Sequence, residues 1–410
     1  MSVAAPGEVQ AAAEEPRGLV ESARRYYETL KAGDVGSLPV ILALAGMVIF
    51  FSLKNGNFFT AVNFNNLIVQ SAGVTLTAIG VVFVLLLGEI DLSISYLGGV
   101  AGVIVAELQL PGSGHDLPGL IAILIGLVAG LAIGCFQGSW VALVGVPSFV
   151  VTLAGNLAFQ GVILRALGQQ GTISIQDNIV NDMANYYLPN LAGWVVAAVV
   201  AGGYLAVTAG GLVARRRAKL PLGNIMLALL RPAIVALVAF GAVAICNHDR
   251  GVPFAGLLVV AMIAFWTYIS TRTTFGRHVY AVGGNTEAAR RAGIGIRYVK
   301  IMVFGISGVM AALGGIVFAA RLSSVDLNAG GGTILFYAIS AAVIGGTSLF
   351  GGRGRVAAAL LGGVLLGTID NGLDLIGSPQ STKYIATAVI LLAAVTLDTV
   401  SRRRLERSGR

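Results

Sequence analysis

Long apolar runs separated by short polar stretches make up most of the sequence from residue 38 onward. Because a helix rises 1.5 Å per residue, about 20 apolar residues suffice to cross a hydrocarbon core of about 30 Å. The runs predict an all-α fold, a polytopic transmembrane helical bundle over residues 38–400 with about twelve membrane segments, some of them broken or half-helices. The segments are 39–53, 68–88, 92–108, 118–144, 148–168, 194–214, 226–246, 254–271, 299–320, 333–350, 355–376 and 383–399.

Composition agrees with this pattern, since 56% of the residues are hydrophobic and only 11% are charged. Such a chain lies far outside the range of soluble domains. Residues 1–37 are rich in Ala, Glu and Arg and reach no apolar run, so they do not resemble a cleavable signal peptide. We expect them to form a cytoplasmic tail in which an amphipathic helix lies on the inner membrane lipid.

The net charge of +8 is better explained by membrane topology than by a nucleic-acid partner. If the N-terminus is cytoplasmic and every segment crosses, only five of the 27 lysines and arginines lie outside. Those five are Lys54, Arg165, Arg250, Arg321 and Lys383. An excess of basic residues on the cytoplasmic side is the usual orientation signal. We therefore expect both termini in the cytoplasm, with a basic tail at 401–410 and no nucleic-acid binding.

The cysteines and histidines form no catalytic or metal-binding pattern. Cys135 and Cys246 lie in or at the end of apolar runs and not in a CxxC pair, and the three histidines lie far apart in predicted loops. The glycine-rich stretch 345–355 lacks the GxxxxGK[ST] pattern of a phosphate-binding loop, so we interpret it as a tight turn at the membrane surface. The sequence predicts no metal and no nucleotide bound by this chain.

A polar stretch at residues 272–300 interrupts the apolar runs and carries the signals of one short helix. Asn285 is a preferred N-cap, Glu287 suits the positive end of the helix dipole, and Gly293 is a typical stop. Since so short a helix is marginal alone, we expect it to pack against a partner. The alternative is an ordinary capped helix in a loop.

The middle of this helix is small. Ala288, Ala289 and Ala292 predict a face that can fit into a groove. Gly283 and Gly284 precede the helix, and glycine allows the tight turn that we expect there. The stretch has the character of a docking element.

Two carboxylates, Glu89 and Asp91, lie where one apolar run ends and the next begins. A charge deep in a membrane costs roughly 2.5 to 3.5 kcal/mol, so both side chains should face a protein interior or a watery path. One interpretation is a polar lining for a substrate route. The other is that they cap two helix ends, with Asp91 as N-cap of a helix that begins at Leu92.

A polar stripe follows from Ser148, in which hydrophilic side chains recur every four residues along one helix face. Its members are Ser148, Thr152, Asn156 and Gln160. Such a stripe can line a passage for a hydroxylated cargo, or it can form hydrogen bonds between neighbouring helices. For any single residue the second interpretation is favoured, and for the stripe as a whole the first.

Three other regions complete the predictions. Asp370 and Asn371 lie in an apolar run, and we expect them to share an interior with Glu89 and Asp91. The external stretch 169–193 is by default a solvated loop, with the alternative that it meets an extracytoplasmic partner. The runs 226–246 and 254–271 predict a peripheral hairpin.

Several stretches, in order along the chain, together resemble the membrane-spanning permease subunits of bacterial ABC sugar importers, in the ribose/xylose group and most closely its xylose branch. They are GEIDLS (88–93), VPSFVVTLAG (146–155), RGVP (250–253), FGRHVYAVGGNTEAARRAGI (275–294), VIGGTSLFGG (343–352) and IDNGLD (369–374). The resemblance covers residues 39–400. Ser95 stands where a glycine is expected, which is a local departure from the family pattern.

The resemblance implies a homodimer in the bacterial inner membrane that imports a monosaccharide, D-xylose in this branch. An extracytoplasmic binding protein would deliver the sugar, and a cytoplasmic ABC ATPase would use ATP and Mg, so that this chain is not itself an enzyme. The segment at 284–293 resembles the coupling helix that inserts into the ATPase. The matching positions are Gly284, Asn285, Glu287, Ala288, Ala289 and Gly293.

Two other classes of protein fit the composition. An ion-gradient-driven secondary sugar transporter needs proton or sodium sites in the membrane, for which Glu89, Asp91 and Asp370 are candidates. Their scarcity argues against it. An intramembrane hydrolase needs a nucleophile and a base, or a pair of carboxylates, at depth, and the sequence offers no usable Ser-His pair.

Overall fold

A computed structural model of the chain describes residues 38–110, 116–220 and 224–407. The amphipathic helix predicted within residues 1–37 lies outside the described residues. The basic segment at 401–410 is described only as far as Arg407, where it continues the last helix.

The described residues are almost entirely helical. The helices are α1 (Leu38–Lys54), α2 (Ala61–Leu86), α3 (Ile94–Glu107), α4 (Gly119–Ser139, extended by a π-helical turn Trp140–Val144), α5 (Ser148–Leu167), α6 (Asn178–Asn185), α7 (Asn190–Arg217), α8 (Ile225–Asn247), α9 (Phe254–Arg272), α10 (Thr274–Gly284), α11 (Thr286–Arg291), α12 (Ile296–Leu322), α13 (Ile334–Ile344), α14 (Ala358–Leu375) and α15 (Gln380–Arg407). The short strands are β1 (Thr172–Ser174), β2 (Tyr187–Leu188), β3 (Val252–Pro253) and β4 (Ser324–Asp326).

Within the described part of the chain, eight helices are long and apolar enough to cross a membrane, and α1, α3 and α13 are shorter apolar helices. Each of the predicted segments coincides with one helix, namely α1–α5, α7–α9 and α12–α15. The all-α polytopic bundle is therefore confirmed.

The core of the bundle is formed by α2 and α12, the two most buried of these eight spans. Helix α12 packs against α2, α3 and α4. Glycines allow this close approach, because a Cβ on Gly308 would overlap the carbonyl of Gly130, and one on Gly315 would overlap the backbone of Gly98. In a membrane, where lipid is as apolar as the side chains, such close packing is a main source of helix association.

One end of the bundle carries a small ordered module instead of the solvated loop predicted at 169–193. Strand β1 pairs with β4, and β2 pairs with β3, both antiparallel. Between β1 and β2, helix α6 buries Val180, Met183 and Ala184 and packs against α12. The prediction of a plain loop is wrong because these apolar side chains, spaced three and four residues apart, need a surface to cover them.

The predicted hairpin at 226–271 also pairs differently. Helix α8 packs mainly against α7, whereas α9 packs against α2 and α10. At the turn before α9, the guanidinium of Arg250 contacts Asp249 and Asn66 and lies 4.4 Å from the centre of the Tyr187 ring. The side-chain amide of Asn65 donates a hydrogen bond to Asp249. These contacts fasten the turn to α2.

Candidate coupling and transport site

Helix α11 has the local structure that its sequence predicts. The Asn285 side-chain oxygen accepts a hydrogen bond of 2.9 Å from the backbone N–H of Ala288. Gly293 has a φ of +80°, the left-handed conformation that ends helices and that glycine adopts without strain. The N-cap and the stop are therefore confirmed.

The predicted alanine face is wrong in one position. Ala289 is only 4% exposed and packs against the chain itself, whereas Ala288 and Ala292 face outward. Residues 288 and 292 are four apart and share a face, while residue 289 is turned about 100° away from 288. The exposed surface also carries Glu287 and Arg290, which form an ion pair of 2.8 Å with both side chains 64% exposed.

A second helix, α10, precedes α11 and was not predicted. Its N-cap is Thr273, whose hydroxyl accepts a hydrogen bond from the N–H of Gly276. The Tyr280 hydroxyl donates a 2.9 Å hydrogen bond to the carbonyl of Gly354, and burial raises the pKa of this phenol. The available signals were the threonine cap and the apolar residues Phe275, Val279 and Val282, which recur at the three- and four-residue spacing of one helix face.

Gly283 and Gly284 do not form the tight turn that was predicted, because both belong to α10. Their surroundings differ sharply. A Cβ on Gly283 would overlap the carbonyl oxygen of Leu86, the last residue of α2, whereas a Cβ on Gly284 would meet open space. The helical conformation is interrupted at Asn285, whose φ of −157° is that of extended backbone. Gly283 is thus required for α10 to touch the end of α2.

The helical backbone is interrupted between α2 and α3, and we call residues 87–93 the break. Gly88 has a φ of +74° and lies against Phe350 and Gly351 of the glycine-rich turn. The N–H of Gly352 donates a 2.9 Å hydrogen bond to Leu86. The predicted surface turn at 345–355 is therefore packed against the break and α10.

Glu89 of the break forms an ion pair with Lys300, in the second turn of α12. The two side chains are only 18% and 22% exposed. Lys300 was not predicted as a site residue. The signal in the sequence was a lysine at the start of an apolar run, where a charge needs an opposite partner.

Asp91 is buried and fully engaged within the protein. Its carboxylate accepts hydrogen bonds from the backbone N–H and the hydroxyl of Ser93, both near 2.9 Å, and from the Ser307 hydroxyl at 2.9 Å. The Gln137 amide donates to Ser93 at 2.9 Å. The hydrogen bond from the Ser93 N–H to Asp91 resembles the helix cap that was one of the two interpretations of Asp91. Helix α3 begins at Ile94, however, and not at Leu92.

The polar stripe on α5 lies against the break. The N–H groups of Ile90 and Leu92 donate hydrogen bonds to the hydroxyls of Ser148 and Thr152, at 3.2 and 3.0 Å. The Asn156 amide donates to the carbonyl of Leu92 at 2.7 Å. Backbone groups outside a regular helix must find partners at membrane depth, and these side chains supply them. Gln160 lies half-buried one turn further along α5.

Asp370 and Asn371 lie at the opposite end of the bundle from the break. Asp370 pairs with Lys383 at 3.1 Å, and the Asn371 amide bonds with Asn63, near the start of α2. Asn63 and the break are separated by nearly the whole length of α2, roughly 35 Å at the rise of a helix. The prediction that these residues share an interior with Glu89 and Asp91 is therefore wrong.

A cavity of about 210 Å³ lies between α2, the break, α13 and α15. Its lining is mostly aliphatic, with Ile90 and Asp91 contributed by the break. A sugar site needs several convergent hydrogen-bonding groups, so this cavity is not a formed sugar site within the described part of one chain. No group of three or more metal-ligating side chains occurs among the described residues.

The chain matches, over residues 63–395, the family model of the branched-chain amino acid transport system / permease component. The xylose transport system permease protein of Escherichia coli (strain K12) is 36% identical over 92% of this chain and 95% of its own length. The corresponding protein of Haemophilus influenzae is 35% identical over 92% and 99%. The ribose import permease protein of Escherichia coli (strain K12) is 31% identical over 92% and 97%. No solved structure shows significant similarity.

Proposed function

The chain belongs to the branched-chain amino acid transport system permease component family, and on that premise we propose that it is the membrane-spanning subunit of an ATP-driven importer of D-xylose. It is a multi-pass protein of the inner membrane. Both of its termini lie in the cytoplasm. Sugar arrives from an extracytoplasmic binding protein, and ATP with Mg is used by a separate cytoplasmic ATPase.

The observation that carries this proposal is the exposed surface of α11. A short helix is marginal on its own, yet this one is capped at both ends and presents Ala288, Ala292 and an ion-paired Glu287 outward. It lies between α10, which contacts the end of α2 just before the break, and α12, which contacts the break through Lys300. A partner that moved α11 would therefore move the break.

The choice of D-xylose rests on the relatives alone. The permeases for xylose are 35–36% identical to this chain, while those for ribose and for D-allose are 31% identical. No residue described here selects a pentose. All of these relatives support import of a monosaccharide, and the xylose permeases alone support D-xylose.

The ordered module at the opposite end of the bundle is the surface on which we place the binding protein. It consists of β1, α6 and β2 and exposes two large apolar side chains, Ile179 and Tyr186, at 51% and 44%. Contiguous exposed apolar patches are typical of interaction sites, and we assign these two side chains to such a patch. The second copy of this chain in the homodimer rests on the family resemblance.

The test is reconstitution in liposomes of this chain with its ATPase and its binding protein. We expect ATP hydrolysis to rise on addition of D-xylose, and labelled D-xylose to accumulate only when ATP and Mg are present. A stronger response to another monosaccharide in a panel would replace D-xylose while retaining the importer. Uptake by this chain alone, driven by a proton or sodium gradient, would contradict the proposal.

A further inference from the structure

The segments that flank α11 make one contact just before the break and one within it. On the N-terminal side, the end of α10 touches the end of α2, where Gly283 lies against the Leu86 carbonyl. On the C-terminal side, Lys300 of α12 pairs with Glu89. The contact at Gly283 is made through backbone and cannot change without moving a helix. The Glu89–Lys300 contact joins two side chains that are 211 residues apart in the sequence.

From this arrangement we propose that the Glu89–Lys300 ion pair is the link that transmits displacement of α11 to the break, and so couples ATP hydrolysis to opening of the sugar path. This inference rests on the proposed function. Both are positioning residues, since they act through the break and not on the sugar or the nucleotide.

The path from α11 to Lys300 is short and stiff. The N–H of Ile294 donates a 3.1 Å hydrogen bond to the carbonyl of Ala289, so the residues after α11 are tied back to it. Helix α12 then begins at Ile296, and Lys300 follows after little more than one turn. Lys300 lies on the first two turns of α12, so a displacement of the start of α12 carries Lys300 with it.

The break is the part of this region that can yield. Its backbone leaves the helical conformation at Gly88, and its N–H and C=O groups are held by side chains of α5 instead of a helical ladder. Side-chain hydrogen bonds can exchange partners one at a time, whereas a helix moves as a unit. The break thus has the properties of a hinge that absorbs backbone change between two arrangements.

Movement of Glu89 has a direct consequence for the interior. The next two residues, Ile90 and Asp91, line the 210 Å³ cavity between α2, α13 and α15. A displacement of the break therefore reshapes a wall of that cavity. Leu391 and Val395 of α15 line the same cavity.

The environment of the pair favours a coupling role over a simple surface contact. Exposed ion pairs contribute little, but these side chains are about four-fifths buried, so separating them leaves two poorly solvated charges. Any state of the break in which the pair is broken is thereby disfavoured. The pair keeps the break and α12 together as the permease moves.

The experiment measures sugar imported per ATP hydrolysed by the complete assembly in liposomes, with D-xylose as the probe. We expect Glu89→Gln and Lys300→Met to lower this ratio by about fivefold or more, the lower end of a typical coupling between two sites. ATP hydrolysis should be largely retained. Glu107→Gln, at the far end of α3, is the matched control and should leave the ratio unchanged.

Two double variants separate coupling from stability. The swap Glu89→Lys with Lys300→Glu restores the ion pair and should recover much of the ratio. The neutral double variant, Glu89→Gln with Lys300→Met, leaves no buried charge without a partner, so it should fold well. It still lacks the ion pair, so import should stay uncoupled from ATP hydrolysis. If a single variant fails to fold, the neutral double variant still shows whether loss of the ion pair uncouples import from ATP hydrolysis.

Two results would overturn the inference. Either the neutral pair retains the wild-type ratio, or import and ATP hydrolysis fall together in every variant, which indicates a structural role only. Failure of the proposed function looks different, because the wild-type assembly would then show no sugar-stimulated ATP hydrolysis with any monosaccharide.

Discussion

At the scale of single residues, the break depends on side chains of a neighbouring helix to satisfy its backbone. Thr152 is fully buried, accepts a hydrogen bond from the N–H of Leu92 and donates one to the carbonyl of Ser148 at 2.9 Å. A buried N–H that loses its acceptor costs about 1–3 kcal/mol, and no water replaces it at membrane depth. The first role of the Thr152 hydroxyl group on α5 is therefore to satisfy the backbone of the break.

We predict that Thr152→Val lowers the stability of the purified permease by about 1–3 kcal/mol, because Leu92 loses its hydrogen-bond acceptor. Thr152→Ser keeps the hydroxyl and should retain most of the stability. The measurement is thermal unfolding in detergent. Thr208→Val is the control, since the exposed Thr208 bonds only to Tyr204 of its own helix. Equal melting temperatures for the valine variants at 152 and 208 would contradict this role.

A second residue-level prediction concerns pH. The hydrogen bond from Asn65, followed by contacts with Arg250, lowers the pKa of Asp249 below its ordinary value of 3.8. A lowered pKa means that the folded state favours the charged carboxylate. The stability that it contributes is fully present above the ordinary pKa and is lost as the pH falls through the lowered one.

We therefore expect the wild-type permease to lose this contribution only below the ordinary pKa of Asp249. Asn65→Ala removes the main cause of the lowered pKa of Asp249, so part of the loss of stability on acidification should occur at a higher pH than in the wild type. Melting temperatures recorded across a pH series, for wild type and for Asn65→Ala, check this. Asp249→Asn cannot titrate and should abolish this part of the pH dependence; an unchanged pH profile in both variants would be evidence against it.

At the scale of elements, the contact between α10 and α2 includes a close approach at one glycine, Gly283. We predict that Gly283→Ala destabilises the permease by about 1–3 kcal/mol, because the added methyl group overlaps the Leu86 carbonyl and forces the helices apart. Gly284→Ala should be neutral or stabilising by about 0.5–1 kcal/mol, since alanine favours the helix and meets nothing there. Thermal unfolding of the permease alone measures both.

Because Gly283 and Gly284 are neighbours, the difference in melting temperature between their alanine variants reports the contact with α2 and not the change of residue type. Both residues are glycines of α10 and both receive the same methyl group. Similar melting temperatures for the two alanine variants would show that α10 does not depend on the close approach at Gly283.

The elements also show what a sequence can and cannot reveal. The positions of the membrane helices and the caps of α11 were predictable, because hydrophobic length and capping side chains are local properties. Helix α6 and the partners of Glu89 and Asp370 were not, because burial and pairing depend on distant segments. Glu89 and Asp370 look alike in the sequence, yet they pair with lysines at opposite ends of the bundle.

At the scale of the whole molecule, α2 and α12 form a buried centre, and the other spans, apart from α14, expose much of their apolar surface. The contacts of the break, α10 and the glycine-rich turn gather at one end, and the paired strands gather at the other. This division is what a permease needs if an ATPase acts on one side and a binding protein on the other.

The proposed homodimer is tested at this scale by native mass spectrometry of the detergent-solubilised assembly. We expect two copies of this chain together with two ATPase domains. The control is the chain expressed without the ATPase, which should still be a dimer if the membrane domains pair directly. A complex with a single copy of this chain would contradict the homodimer.

The central claim is that α11 faces the cytoplasm and is covered by the ATPase, and cysteine labelling tests it most directly. Cys135 and Cys246 are first replaced by alanine, and Ala288→Cys is introduced on the exposed face of α11, with Gln169→Cys at the opposite end as the control. The account predicts that a membrane-impermeant maleimide labels position 288 only in inverted vesicles, and that the bound ATPase blocks this labelling. Labelling of position 288 in cells with an intact inner membrane would contradict it.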